Sequence, residues 1–343
     1  MPAASQTESA LRTALMLVWV ALAAWTAIGA LAAREPFRSH PPLRYADVDL
    51  YAQIVGEVER GQSYYAAANR LQRQHSYPVR PFYTTRLPTL AWTTAAIGPV
   101  AARAALIGVL ILTVLAWRRA LAEHPRAVRL IAPVLIVPSG IAAFGSNWIY
   151  LHEIWAGVLM SLAFATRDKW PVSLGFAGLA LFVRELAMPY VLLALGFALW
   201  HRRWREAAAW GVLIAVFAAA MTLHANATLT QPVGQSSPGW LTVRGPLAVF
   251  QGLSEMPPFI FIGLTLTPIV ALLALLGWTR APGEQGLFGA ALMIGYLCAF
   301  TVFGRGDNTY WTVLLLPTLL LGLAFLRFKR GQPPQVGSAE HKS

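Results

Sequence analysis

Apolar runs of about twenty residues recur along this chain, and a run of that length is what an α-helix needs to cross the roughly 30 Å hydrocarbon core of a bilayer. Lipid offers no water to unpaired backbone groups, so only helices and closed barrels can span it. With 57% hydrophobic and only 12% charged residues in 343, and a mean hydropathy of +0.53, the expected fold is an all-α polytopic membrane protein. The candidate spans are 12–33, 87–117, 129–146, 148–166, 171–183, 186–200, 207–224, 257–277, 286–303 and 311–328, about ten segments on hydropathy grounds. No linker or internal repeat divides them, so residues 1–330 read as a single transmembrane domain. The polar stretch 331–343 reads as a disordered cytoplasmic tail.

The net charge of +12 does not imply nucleic acid, because no basic stripe with interleaved aromatics occurs in a soluble segment. The cations instead form short clusters between apolar runs, at Arg118-Arg119 with Arg126 and Arg129, at Arg167 with Lys169, at Arg202-Arg203 with Arg205, at Arg280, and at Arg327 with Lys329-Arg330. This is the bias of cytoplasmic loops, and it puts both termini in the cytoplasm. The first apolar stretch is longer than a signal-peptide core, so it reads as a retained helix although Ala30 to Ala33 resembles a cleavage site. The one cysteine, Cys298, excludes an intrachain disulfide or a cysteine-based metal cluster.

Two long outer loops remain, 34–86 and 225–256, and function tends to reside in such loops. In the first, Val48, Tyr51, Ile54, Val55 and Val58 recur at helical spacing opposite Asp49, Gln53, Glu57 and Arg60. That pattern predicts an amphipathic helix lying along the membrane surface, capped by Asp47 and ended by Gly61. A second short amphipathic stretch follows over 64–74. Spans 171–183 and 186–200 are too short to cross fully at 1.5 Å per residue, so the turn at Arg184-Glu185 is expected at membrane depth.

Several groups could carry chemistry, each with a structural alternative. Asp47 and Asp49 are candidate general bases, or merely a helix cap and a solvated face. Arg184 and Glu185 are intramembrane ions, a functional signal by default. Arg184 suits a phosphate, while a structural ion pair with another helix is the rival. His152 and Glu153 open a span on the outer side, where an interfacial belt is the plainer explanation. Arg70, Arg73, His75, Arg80 and Arg86 make the first loop basic, fit either for a donor phosphate or for anionic headgroups. Arg305, Asp307, Asn308 and Tyr310 sit in a tight outer turn that turn chemistry alone would explain. No phosphate-binding glycine loop, Ser-His-Asp order or metal-ligand cluster is present in the sequence.

Asp47-Val48-Asp49-Leu50-Tyr51, followed by Gly61 and Tyr65, resembles the start of the polyprenyl-phosphate-dependent, C-type membrane glycosyltransferases (the GT-C superfamily), most of all their bacterial mannosyl- and arabinosyltransferase-like branches. The Pro-containing stretch Arg86-Leu87-Pro88-Thr89-Leu90-Ala91-Trp92, the Arg184-Glu185 pair before Pro189-Tyr190 and the His152-Glu153 helix start are similar to further elements of that group. The resemblance implies transfer of a sugar from a polyprenyl-phosphate donor to a lipid, glycan or protein acceptor, on the periplasmic side of a bacterial inner membrane. It implies Asp47 as the base, with Arg184, Glu185, His152, Glu153, Arg80, Arg86, Tyr51, Tyr65 and Arg305 around substrate and phosphate. It implies no certain cofactor and leaves a divalent cation open. The Asp-x-Asp order leaves both aspartates in play, since the family position is Asp47 and the helical face favours Asp49. A transporter or lipid flippase, and a non-catalytic assembly subunit, are the competing classes.

Overall fold

A computed structural model of the chain describes residues 2–32, 47–139, 148–304 and 308–326. The expected tail 331–343, Arg305 and the turn at 145–147 lie outside the described residues. Within those residues the backbone is helical, with β structure limited to two isolated bridges. The helices are α1 (Pro2–Ala32), α2 (Asp47–Glu59), α3 (Tyr64–Gln74), α4 (Thr89–Ile97), α5 (Pro99–Ala120), α6 (Arg126–Ile136), α7 (His152–Ala165), α8 (Trp170–Val183), α9 (Met188–Trp200), α10 (Trp204–Leu229), α11 (Pro246–Ser254), α12 (Gly263–Arg280) and α13 (Gly283–Val302). A last helical segment, 309–325, alternates 3-10 turns with one α-turn, α14 (Leu316–Leu319).

Five of these helices are long and apolar enough to cross a membrane: Gln6–Ala32 and helices α5, α10, α12 and α13. The sequence suggested about ten crossings, and the difference has local causes. The last expected span, 311–328, is a broken helical segment over 309–325, whereas the expected span 87–117 is shortened but kept: it breaks at Gly98, whose φ of +80° is left-handed, and Pro99 then opens α5. Helices α7 and α8 have 14 residues each and α9 has 13, which at 1.5 Å per residue rise only about 20 Å. The described part of the expected span 129–146 holds the 11-residue α6.

Helix α7 is the axis of the packing. Nearly every residue from His152 to Ala165 is buried, with α5, α8 and the last segment laid against it. The last segment comes close because Gly157 has no side chain: a Cβ there would stand 2.8 Å from the Leu314 carbonyl oxygen. At the C-terminal end of α7 a layer of Trp117, Phe164, Trp278 and Phe288 interlocks edge to face and tilted.

The first outer loop folds back onto the bundle. The apolar stripe of α2 is met by protein rather than by lipid: Leu50, Ile54 and Val55 pack with Tyr64, Ala68 and Leu71 of α3 and Ala91 of α4. Val48, Tyr51 and Val58 of the same stripe stay half-buried. The second outer region is also more ordered than a loop. Helix α10 extends to Leu229, and α11 buries Val249, Phe250 and Leu253. The two regions are tied together where the Val79 N–H donates to the Gln235 carbonyl (2.9 Å) and the Ser237 N–H to the Arg80 carbonyl (2.7 Å).

Candidate functional site

Between these tied regions and the end of the bundle lies a cavity of about 410 Å³. Helix α2 contributes Asp47, Leu50 and Tyr51, positions spaced i, i+3, i+4 on one face. Asp49 falls off that face and does not line the cavity. The stretch after α3 contributes Tyr77 and Arg86, the second outer region Trp240, and the start of the last segment Tyr310.

Asp47 Oδ1 accepts a hydrogen bond from the Tyr77 hydroxyl at 2.8 Å. Its partner is thus a neutral donor rather than a cation. Across the cavity, Arg86 is held from several sides. Its carbonyl accepts from the Tyr64 hydroxyl (2.7 Å), and its guanidinium donates to the hydroxyls of Tyr51 (Nε, 3.1 Å) and Tyr310 (Nη2, 3.2 Å). Burial works against its charge, yet the Tyr51 and Tyr310 oxygens and the carboxylates of Glu185 and Glu153 outweigh burial and hold its pKa well above the ordinary value. Burial drives the Tyr51 phenol upward, against the pull of Arg86, so its hydroxyl keeps its proton while accepting from Arg86. The loop carrying Arg86 is itself fixed by Gln72, whose amide donates to the Pro78 and Thr84 carbonyls (both 3.3 Å) and accepts from the Thr85 hydroxyl (2.9 Å).

Behind Arg86 runs a chain of ions. Glu185 stands 3.5 Å from Arg86 and accepts from Arg184 in turn. Arg184 donates through Nε to Glu153 at 2.6 Å, and both side chains are 0% exposed. The extended backbone of Arg184, φ −150°, ends α8 and turns its side chain inward. Arg184 is thus paired with two carboxylates and is not part of the cavity lining, whereas Arg86 is. Glu185 and Glu153 are the carboxylate partners of these arginines. The His152 ring stacks edge-on against Tyr51 at 4.8 Å. Both its nitrogens, together with Glu153 Oε2 and Arg184 Nη2, are buried without a hydrogen-bond partner.

Two further candidates have structural roles. Arg80 donates to the carbonyls of Thr228 (2.9 Å), Leu229 (3.2 Å) and Gln231 (3.1 Å), pinning the end of α10 to the first outer region. The Tyr65 hydroxyl pairs with His224 Nδ1 at 3.2 Å, outside the cavity lining. Among the described residues no group of three or more His, Cys, Asp or Glu side chains converges as a metal site. A divalent cation here would find Asp47 as its protein carboxylate, with substrate phosphate and water supplying the other oxygens, the pattern typical of magnesium.

Sequence reasoning passed over Tyr77 and Trp240 as cavity residues, and named Tyr310 only as part of an outer turn. They come from segments far apart in the chain, and a lone tyrosine or tryptophan near an interface carries no functional signal of its own. Compared with protein-family models, curated proteins and solved structures, the chain finds no match.

Proposed function

We propose that the protein is a membrane glycosyltransferase that moves a sugar from a polyprenyl-phosphate donor to a hydroxyl of a lipid, glycan or protein acceptor. The observation that carries this is the pairing of Asp47 and Arg86 as walls of one cavity at the end of an apolar bundle. A carboxylate with a neutral partner can take a proton, and a guanidinium flanked by two phenols can hold a departing phosphate. Tyr77 and Trp240 offer flat faces for a sugar ring, as in many ligand sites. The sequence resemblance to C-type glycosyltransferases points the same way.

In this mechanism Asp47 accepts the proton of the acceptor hydroxyl as its oxygen attacks the anomeric carbon. The bond from that carbon to the phosphate oxygen breaks, and its electron pair leaves with the phosphate. Arg86, Tyr51 and Tyr310 receive the growing negative charge. The products are the glycosylated acceptor and the polyprenyl phosphate. In this reading the outer regions face the periplasm of a bacterial inner membrane, the side away from the basic clusters.

The test is chemical. The full chain in proteoliposomes is given a polyprenyl-phosphate-linked sugar labelled in the sugar, with a lipid-extract acceptor pool. Release of free polyprenyl phosphate with the label in a new product supports transfer. Label that crosses the vesicle membrane while still joined to its carrier would replace the enzyme with a transporter.

A further inference from the structure

A second cavity, of about 900 Å³, opens at the other end of α7. Its floor is Leu162, Phe164 and Ala165 from the last turns of that helix, whereas the first cavity meets α7 at His152 through Tyr51. The 14 residues between put the two cavities roughly 20 Å apart. One wall is apolar: Leu112 and Leu115 of α5 face Phe176 of α8. Leu112 and Leu115 are 51% and 52% exposed, and the exposed side of α5 that carries them also shows Ile111, so the wall continues into a surface that a bilayer would cover.

Above this wall the lining turns ionic, in two layers. The inner layer is closed. Glu284 accepts from Arg167 at 3.0 Å and from Arg203, and the Arg167 guanidinium lies 3.7 Å from the centre of the Phe288 ring. The outer layer is open. Arg119 and Asp168 stand 3.5 Å apart with 64% and 63% of their side chains exposed, a pairing of little energetic weight. Lys169 and Glu123, both exposed, also line the cavity, and neither is held by an ion pair among the described residues.

We infer that this cleft binds a zwitterionic phospholipid, one with an amine on its phosphate headgroup. An acyl chain lies along Leu112, Leu115 and Phe176. The phosphate sits at Lys169 and Arg119, and the ammonium at Glu123 and Asp168. The apolar wall requires an occupant that comes from the bilayer. The paired signs of the open layer require a headgroup with both charges, because a purely anionic one would meet two carboxylates with no cation of its own to offer them. Trp170 at the rim stands where interfacial aromatics anchor headgroups. This site is independent of the transfer chemistry at the first cavity.

The experiment is lipid competition on the purified full chain in detergent, read by native mass spectrometry, with phosphatidylethanolamine and phosphatidylglycerol of identical acyl chains at equal concentration. The expected result is a preference for phosphatidylethanolamine of about tenfold. Lys169→Ala combined with Glu123→Gln should bring the ratio to within about twofold of one, and Leu115→Trp should lower binding of both lipids about threefold or more. All three positions are exposed, so the fold should tolerate these changes. Equal binding of the two lipids by the native chain, or a preference for phosphatidylglycerol, overturns the inference. So does a preference that survives the double variant.

Discussion

Replacing Asp47 by Asn is the sharpest perturbation of the proposed chemistry, because it changes one property and spares the others. The Asn carbonyl keeps the acceptor that Tyr77 now reaches at 2.8 Å, so the tie between α2 and the loop after α3 survives. Leu50 and Tyr51, on the same face, are untouched. What disappears is the ability to take a proton. A positioned general base contributes about 10²–10⁴ in rate, or about 2.7–5.4 kcal/mol of barrier. Donor binding rests on the Arg86 side of the cavity, so kcat should fall by that factor while KM for the polyprenyl-phosphate sugar stays within about twofold. Asp49→Asn, two residues along and off the cavity face, should keep kcat within about twofold of the native chain. The assay is initial-rate sugar transfer in proteoliposomes over a range of donor concentrations, with circular dichroism to check the fold. A folded Asp47→Asn protein that keeps a third or more of the native kcat, or an Asp49→Asn protein that loses as much as Asp47→Asn, would refute the assignment.

Three further outcomes follow from the same geometry. Arg86→Lys keeps a charge but cannot reach Tyr51, Tyr310 and Glu185 at once; loss of one or more charge-assisted hydrogen bonds should raise donor KM about ten- to a hundredfold, measured in the same assay. Glu153→Gln weakens the charge balance of Arg184, which is 0% exposed; it should destabilise the fold by about 3–5 kcal/mol in a thermal or denaturant titration, whereas Glu153→Leu with Arg184→Met should lose less, because removing both ions strands neither. Asp47 is the carboxylate that lines the cavity among the described residues, so the transfer should proceed in a single displacement. Nuclear magnetic resonance of the product should therefore show the inverted anomeric configuration, and a retained one would require a second carboxylate as nucleophile.

The parts of the fold set by local pattern were legible in the sequence. The 3.6-residue spacing from Val48 to Val58 marked α2, and Gly61, with its φ of +85°, marked its end. The short lengths flanking Arg184 and Glu185 marked an incomplete hairpin. What α2 would pack against was not legible, because its stripe suits a lipid surface and a helical partner equally. The Gly98-Pro99 break was written in the sequence, but hydropathy averaged over a long window hides it. At the site, Asp47, Arg86 and Arg184 were all named from the sequence, but which of the two arginines would line a cavity with Asp47 was not legible. Arg86 and Arg184 are both arginines beside apolar spans, and the choice between them rests on Glu153, which comes from another helix 31 positions earlier. Long-range pairing of that kind leaves no trace in spacing.

The joint between the two outer regions bears on how a substrate gets in. Residues 79–80 and 235–237 hold one another through their backbones, and the Arg80 guanidinium grips three carbonyls at the end of α10. Peeling that seam apart would break at least five hydrogen bonds together, too many for a flap that must lift at every turnover. The roof is therefore a fixed arch, and traffic passes beneath it. In the proposed transfer, a long-chain carrier would slide in from the side with its tail still in the membrane and only its head under the arch. An acceptor would then enter beside His75 and Trp240, which line the cavity, so the space between them, more than any lid motion, would set which acceptors fit.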